Sequence, residues 1–154
     1  MLFFIFASFK TDMPRILAVD YGNKRVGLAV TDPLQIIATS LTTVHASKAV
    51  AFISDYFNSE EVEEVVVGKP VQMNNTPSEI EKNILLFIKK LNEKCPSAKV
   101  VRYDERFTSV MAQRALIEAG YKKKQRQNKA LVDQTSAVIL LQSYLEHKRN
   151  FLKI

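Results

Sequence analysis

Residues 15–30 read RILAVDYGNKRVGLAV, and this stretch decides the fold. An apolar run, Ile16 to Val19, stops at a carboxylate, Asp20. A second apolar run, Val26 to Thr31, starts just beyond YGNK. Two such runs joined by a short polar segment with Gly22 in the turn predict a β-hairpin. An ionised Asp at the end of a buried strand must be paired, bound to metal or placed at the sheet edge.

Working outward, Asp32-Pro33 reads as a turn, with Asp32 as a turn residue, and a third extended run follows over about Ile36 to Val44. Ser47 opens an amphipathic helix to about Phe57, with Val50, Ile53 and Phe57 on one face. VEEVVVG, Val62 to Gly68, is a β-branched run ended by Gly68 and Pro70, hence a buried strand. GKPVQMNNTPSE is a polar loop, after which Ser78 caps a helix carrying Ile80, Ile84, Phe87, Ile88 and Leu91. AKVVRYDE, residues 98–105, is a further strand ending in acids. A helix is expected from about Ser109 to Ala119, stopped by Gly120, and a last one from about Leu131 to His147. The order predicts an α/β fold with a mixed five-stranded sheet, its first three strands antiparallel, its later strands parallel, and helices on its faces. Ligands gather beyond the carboxyl ends of parallel strands in such sheets, where Asp20, Gly68 and the Asp104-Glu105 pair all fall.

With 154 residues the chain is long enough for one domain with a real core. Its formal net charge of +6 makes a polyanion the first partner to consider, and a merely basic surface the plain alternative. One cysteine, Cys95, excludes an internal disulfide and suits a reducing compartment, so a cytoplasmic location is expected. One Cys with only His45 and His147 argues against a zinc site, so any metal must take oxygen ligands. Residues 1–12, MLFFIFASFKTD, are too short to span a membrane and have no positive charge ahead of their apolar part. Met13 is the expected natural start of a single domain over 13–154, with residues 1–12 an extension upstream of it; the alternative is a loosely docked tail.

Four acids are candidates for one site: Asp20, Asp104, Glu105 and Asp133. Thr135, Ser136 and Ala137 are small enough to let the last helix approach the sheet and bring Asp133 toward the others. Converging carboxylates repel, and Mg²⁺ or Mn²⁺ relieves that repulsion with oxygen ligands. Two such ions about 4 Å apart activate water and stabilise both oxygens of a phosphodiester displacement. Each acid also has a plain reading: Asp20 as a turn residue, Asp133 as a helix N-terminal acid, Glu105 as a surface partner of Arg106 or Arg102.

KKKQRQNK, Lys122 to Lys129, supplies Lys122, Lys123, Lys124, Arg126 and Lys129 just ahead of Asp133. Such a run is either a solvated loop or a cradle for a phosphate backbone beside the acids. Lys24, Arg25, Lys69 and Arg106 are positioned to add contacts, and Tyr21 and Tyr103 either stack on an unpaired base or pack at the rim.

The segments DYGNKRVGLAVTD (20–32), VVVGKP (65–70), DERFTS (104–109) and VDQTSA (132–137) resemble the YqgF/RuvX family, in order, over essentially residues 13–144. That resemblance implies a ribonuclease H-like fold and a metal-dependent nuclease. The family has been assigned as a Holliday junction resolvase by likeness to the RuvC type. It is more often linked to maturing the 5′ end of pre-16S ribosomal RNA, which would make pre-ribosomal particles a partner. By position, Asp20, the Asp104-Glu105 pair and Asp133 match the catalytic and metal-binding acids of that family. The loop GKPVQMNNT departs from the family's usual G-L-P and D-G-T, placing Lys69 where an apolar residue is usual and Asn74-Asn75 where Asp-Gly is usual. A DNA-junction resolvase, which needs a symmetric dimer, and a non-catalytic ribosome-assembly or transcription factor are the competing readings. The oligomeric state stays open between a monomer and a weak homodimer. The D-Y-G opening is also similar to the phosphate loops of actin-like ATPases, but those enclose the nucleotide between two domains, and this chain is too short for that.

Overall fold

Strands β1 (Arg15–Tyr21), β2 (Arg25–Thr31), β3 (Ala38–His45), β4 (Val62–Lys69) and β5 (Lys99–Asp104) form one sheet in the order β3-β2-β1-β4-β5. The computed structural model describes residues 12–70, 78–104, 114, 117–120, 122–126 and 129–152. β2 is antiparallel to both β1 and β3, while β4 is parallel to β1 and to β5. Four strands therefore run one way, and their carboxyl ends, at Tyr21, His45, Lys69 and Asp104, share one rim.

Strand alternation builds two cores from one sheet. Leu17 and Val19 of β1, Val65 and Val67 of β4, and Val26, Leu28 and Val30 of β2 pack on helices α1 (Ala49–Ser59) and α2 (Glu79–Lys94) through Ile53, Ile84, Phe87 and Leu91. Ile16, Ala18, Ala29 and Val66 point the other way, onto helix α4 (Lys129–Leu152) at Ala137, Leu140, Leu141 and Leu145. Ser136 and Ala137 are buried, so the small residues do let α4 lie close to the sheet.

Element ends follow local chemistry. The Ser78 Oγ accepts from the Glu81 N–H at 3.3 Å and starts α2 as an N-cap. The hairpin turn closes with the Gly22 N–H on the Arg25 carbonyl at 2.9 Å, and a Cβ on Gly22 would sit 2.6 Å from that carbonyl oxygen. Only glycine permits this approach.

Three expectations need correction. The third strand starts at Ala38, not Ile36, because the Asp32 Oδ1 accepts the N–H groups of Ile36 and Ile37 at 2.6 and 2.8 Å and holds them in the turn. Partial burial raises the Asp32 pKa, but these donors and the Leu34 N–H outweigh it and hold the carboxyl below its ordinary value. The first helix begins at Ala49 after a 3-10 turn over Ala46–Lys48. The last helix, α4, opens at Lys129 rather than about Leu131 and continues to Leu152 rather than about His147, and within the basic run Lys123–Arg126 forms a short helix, α3. The helix expected over Ser109–Ala119 lies largely outside the described residues, although Arg114, Ile117 and Glu118 are helical. The expectation for residues 1–12 also lies outside them, save Asp12.

Candidate active site

Asp20 occupies the penultimate position of β1, partly buried, on the same face as Ile16 and Ala18 and hence toward α4. Its partner across the antiparallel ladder is Gly27. On the other side, one residue beyond the Val19–Val67 pairing, β4 places Gly68. Gly68 pairs in turn with Tyr103 of β5, and Gly27 pairs with Thr43 of β3. The Asp20 carboxylate thus stands in a row whose nearest neighbours have no side chains. Gly27, in the middle of an apolar run, carried the signal for such a close approach, and reading for charge alone passes over it.

Alternation separates the acids. Val100, Arg102 and Asp104 share the β5 face directed at α2, opposite to the face of Asp20. Asp104 is exposed and pairs in register with Lys69, which is exposed at the same end of β4. Asp133 lies in α4, one turn before the buried Ala137, and its side chain is outside the described residues, as are Glu105 and Arg106. Among the described residues no group of three or more His, Cys, Asp or Glu is placed to hold a metal ion.

Lys24, Arg25 and Lys69 lie at this end of the sheet: Lys24 is exposed in the hairpin turn and Arg25 is half-buried at the start of β2. Lys122, just before α3, and Lys123 and Lys124, within it, are exposed. The side chains of Arg126 and Lys129 lie outside the described residues.

Two polar clusters were not legible beforehand. Arg102 donates to both carboxylate oxygens of Glu81, at 2.8 and 2.9 Å, and to the Gly68 carbonyl at 3.2 Å. Arg102 is thus engaged with Glu81, while the pairing of Glu105 lies outside the described residues. The Arg102 hydrogen bond is the main influence on Glu81 and holds its carboxyl below the ordinary value, against the effect of burial. At the amino end of β4, the Glu64 carboxylate accepts the Tyr144 hydroxyl at 2.5 Å and lies 3.4 Å from the Lys99 and Lys148 ammonium groups. Burial raises the Glu64 pKa, but Tyr144 and the two lysines outweigh it, so the acid stays ionised. Burial and the adjacent carboxylate push the Tyr144 hydroxyl the other way, upward.

Tyr103 is occupied by packing: its ring meets Tyr144 edge-on at 5.5 Å, and its hydroxyl bonds Ser143 and His147 at 2.8 and 3.1 Å. Tyr21 instead packs on Phe87, with ring centroids 5.1 Å apart, at the edge of an open groove. His45 caps the 3-10 turn, and Cys95 is buried at the end of α2.

The three-layer arrangement has solved counterparts. The structure of T. thermophilus RuvC in complex with Holliday junction substrate matches it with a TM-score of 0.57 at 15% identity, covering 89% of this chain and 96% of that one. The fold is therefore of the ribonuclease H-like class to which RuvC belongs. The model of the RuvX family, described as Holliday junction resolvase, matches residues 14–147, and the chain belongs to that family. A Bacteroides fragilis protein named "Putative pre-16S rRNA nuclease" is 56% identical over 137 residues, covering 89% of this chain and 99% of its own length. A Flavobacterium psychrophilum protein of the same name is 54% identical over 136 residues, covering 88% of this chain and 99% of its own. Among the described residues, no helix is long and apolar enough to cross a membrane.

Proposed function

We propose that this chain is a divalent-metal-dependent endonuclease that hydrolyses phosphodiester bonds in the 5′ leader of pre-16S ribosomal RNA, in the cytoplasm. The observation that carries the reading is the placement of Asp20 between Gly27 and Gly68 at the carboxyl rim, on the face covered by α4. The residues paired beside Asp20 on its two neighbouring strands, Gly27 and Gly68, carry no side chains of their own. Family membership favours a nuclease, and the name of the relatives favours pre-16S RNA as its substrate.

The donors fit a hard cation. Asp20 offers oxygen alone, and one cysteine with two histidines in the whole chain falls short of the usual Cys/His zinc set. In our assignment Asp20, Glu105 and Asp133 hold Mg²⁺ or Mn²⁺. Asp104 faces α2, so Glu105 is the member of the acidic pair we assign to the centre. When bound, one or two such ions activate water and neutralise charge on the scissile phosphate. The chain's own part is to fix Asp20 on a rigid central strand and to exclude competing side chains. Lys24, Arg25, Lys69, Arg106 and the 122–129 run hold the phosphate backbone by charge, without sequence readout.

The test is cleavage of a 5′-extended pre-16S RNA and of a synthetic four-way DNA junction by wild type and Asp20→Asn, with Mn²⁺ or EDTA. Metal-dependent cutting of the RNA alone, lost in the variant, is expected. Symmetric cutting of the junction instead would assign the chain to recombination, as the family description suggests. Binding without cutting of either would make it a non-catalytic factor.

A further inference from the structure

We propose that the groove at the carboxyl end of β1, between α1 and α2, holds one unpaired nucleotide of a single-stranded nucleic acid; the choice of occupant rests on the nuclease reading. The groove encloses about 240 Å³. Tyr21, Phe87, Val50 and Leu86 form its apolar walls, and Ser47, Asn83 and Lys90 bring polar groups to it.

Its chemistry is mixed in the way a nucleotide requires. Phe87, 4% exposed, backs the half-buried Tyr21 ring with the two planes 41° apart, and Tyr21 and the 56% exposed Leu86 present the accessible apolar surface. A base stacked there would cover this apolar surface. Lys90, exposed at the groove's edge, suits the attached phosphate. The Asn83 side-chain amide Nδ2 donates to the Asn23 side-chain Oδ1 at 2.9 Å, which ties the groove wall to the hairpin turn. A lipid chain would meet too many polar groups, and an acidic peptide would leave the rings uncovered.

Position makes the groove more than a surface hollow. Asp20 and Tyr21 are consecutive, so their side chains leave β1 on opposite faces. A strand crossing the rim at the hairpin therefore meets Asp20 on one side and Tyr21 on the other, with the exposed Lys24 between them. The groove would grip a nucleotide flanking the one that reacts, which favours substrates with an unpaired segment.

The helix supplies its own control. Leu85 and Lys89 are exposed on α2 next to Leu86 and Lys90 but do not line the groove. Binding of a fluorescein-labelled eight-nucleotide single-stranded RNA is measured by anisotropy in EDTA, which prevents cleavage. The double variant Leu86→Glu with Lys90→Glu is compared with Leu85→Glu with Lys89→Glu, which makes the same change in charge. The groove variant is expected to lose about tenfold or more in affinity, the control about threefold at most. On a blunt RNA duplex of the same length the two variants should behave alike. Thermal melts verify that both remain folded. Equal losses on the single strand, or no binding by wild type, would overturn the groove. If Asp20-dependent cleavage persists while the losses are equal, the groove falls and the nuclease reading stands. If the groove variant alone loses binding but no cleavage occurs with any substrate, the nuclease reading falls and the groove stands.

Discussion

Glu81 and Arg102 meet side by side, two guanidinium nitrogens on two carboxylate oxygens, with the Glu81 side chain only 8% exposed. The pair joins the first turn of α2 to β5, and through the Gly68 carbonyl it also grips β4 next to the row that holds Asp20. A two-toothed contact of this kind sets geometry as well as energy.

Glu81→Gln is expected to destabilise the fold by about 1–3 kcal/mol, because the half-buried Arg102 guanidinium loses its charged acceptor. Urea unfolding measures this directly. Arg102 lowers the Glu81 pKa, so the pair's stabilisation is complete above the ordinary carboxyl value of 4.5 and fades as pH falls below it. The variant should therefore lose the part of the acid sensitivity that wild type shows below that value.

Tyr144→Phe removes the hydroxyl that donates to Glu64 and leaves a buried carboxylate with only the two lysines. A loss of about 1–3 kcal/mol is expected at neutral pH. The Glu64 pKa is lowered in the folded chain, so this contribution too is present above 4.5 and lost on acidification. Wild type and variant should converge in Tm toward low pH. The site lies at the amino end of β4, away from Asp20, so metal-dependent cleavage per folded molecule should be unchanged.

Gly22→Ala places a methyl group 2.6 Å from the Arg25 carbonyl oxygen, and backbone cannot yield as a flexible side chain would. A cost of about 1–3 kcal/mol is expected, with a shifted hairpin. The turn connects Tyr21 to Lys24, so affinity for single-stranded RNA should fall together with Tm. Loss of Tm alone would separate the turn from the binding surface.

Glu105→Gln and Asp104→Asn divide the acidic pair. If Glu105 belongs to the centre, its variant should abolish metal-dependent cleavage and weaken Mn²⁺ binding read by calorimetry. Asp104→Asn should cost no more than about 10–100-fold, the range of groups that act through a neighbouring ligand. The reverse order would place Asp104 on the metal.

Much of this protein could be read from local pattern. The runs at 16–19, 26–31 and 62–68 alternate between two apolar faces, and Ser78 announces its helix, because those signals depend on neighbours within a turn or a ladder step. Asp20 was legible for the same reason: a charge that ends an apolar strand has few places to go. Ile36 and Ile37 misled, since their β-branched side chains favour a strand while the Asp32 carboxylate, four and five residues away, takes their N–H groups.

Other features were settled only by the folded chain. Asp104 and Glu105 are adjacent in sequence, but which face each strand residue takes depends on register, and the pairing of Val67 with Arg102 turned Asp104 toward α2. Arg102 had acids beside it at 104 and 105, yet its partner is Glu81, 21 residues away on another element. The two glycines beside Asp20 come from two later strands, β2 and β4, 41 residues apart in the chain, and flank it only in the sheet. Sequence alone determined which segments are strands and helices and which residues carry charge, because these are local properties of the chain. Tertiary structure alone decided which charges share a face, because pairing register and helix docking are set by cores built from segments distant in sequence.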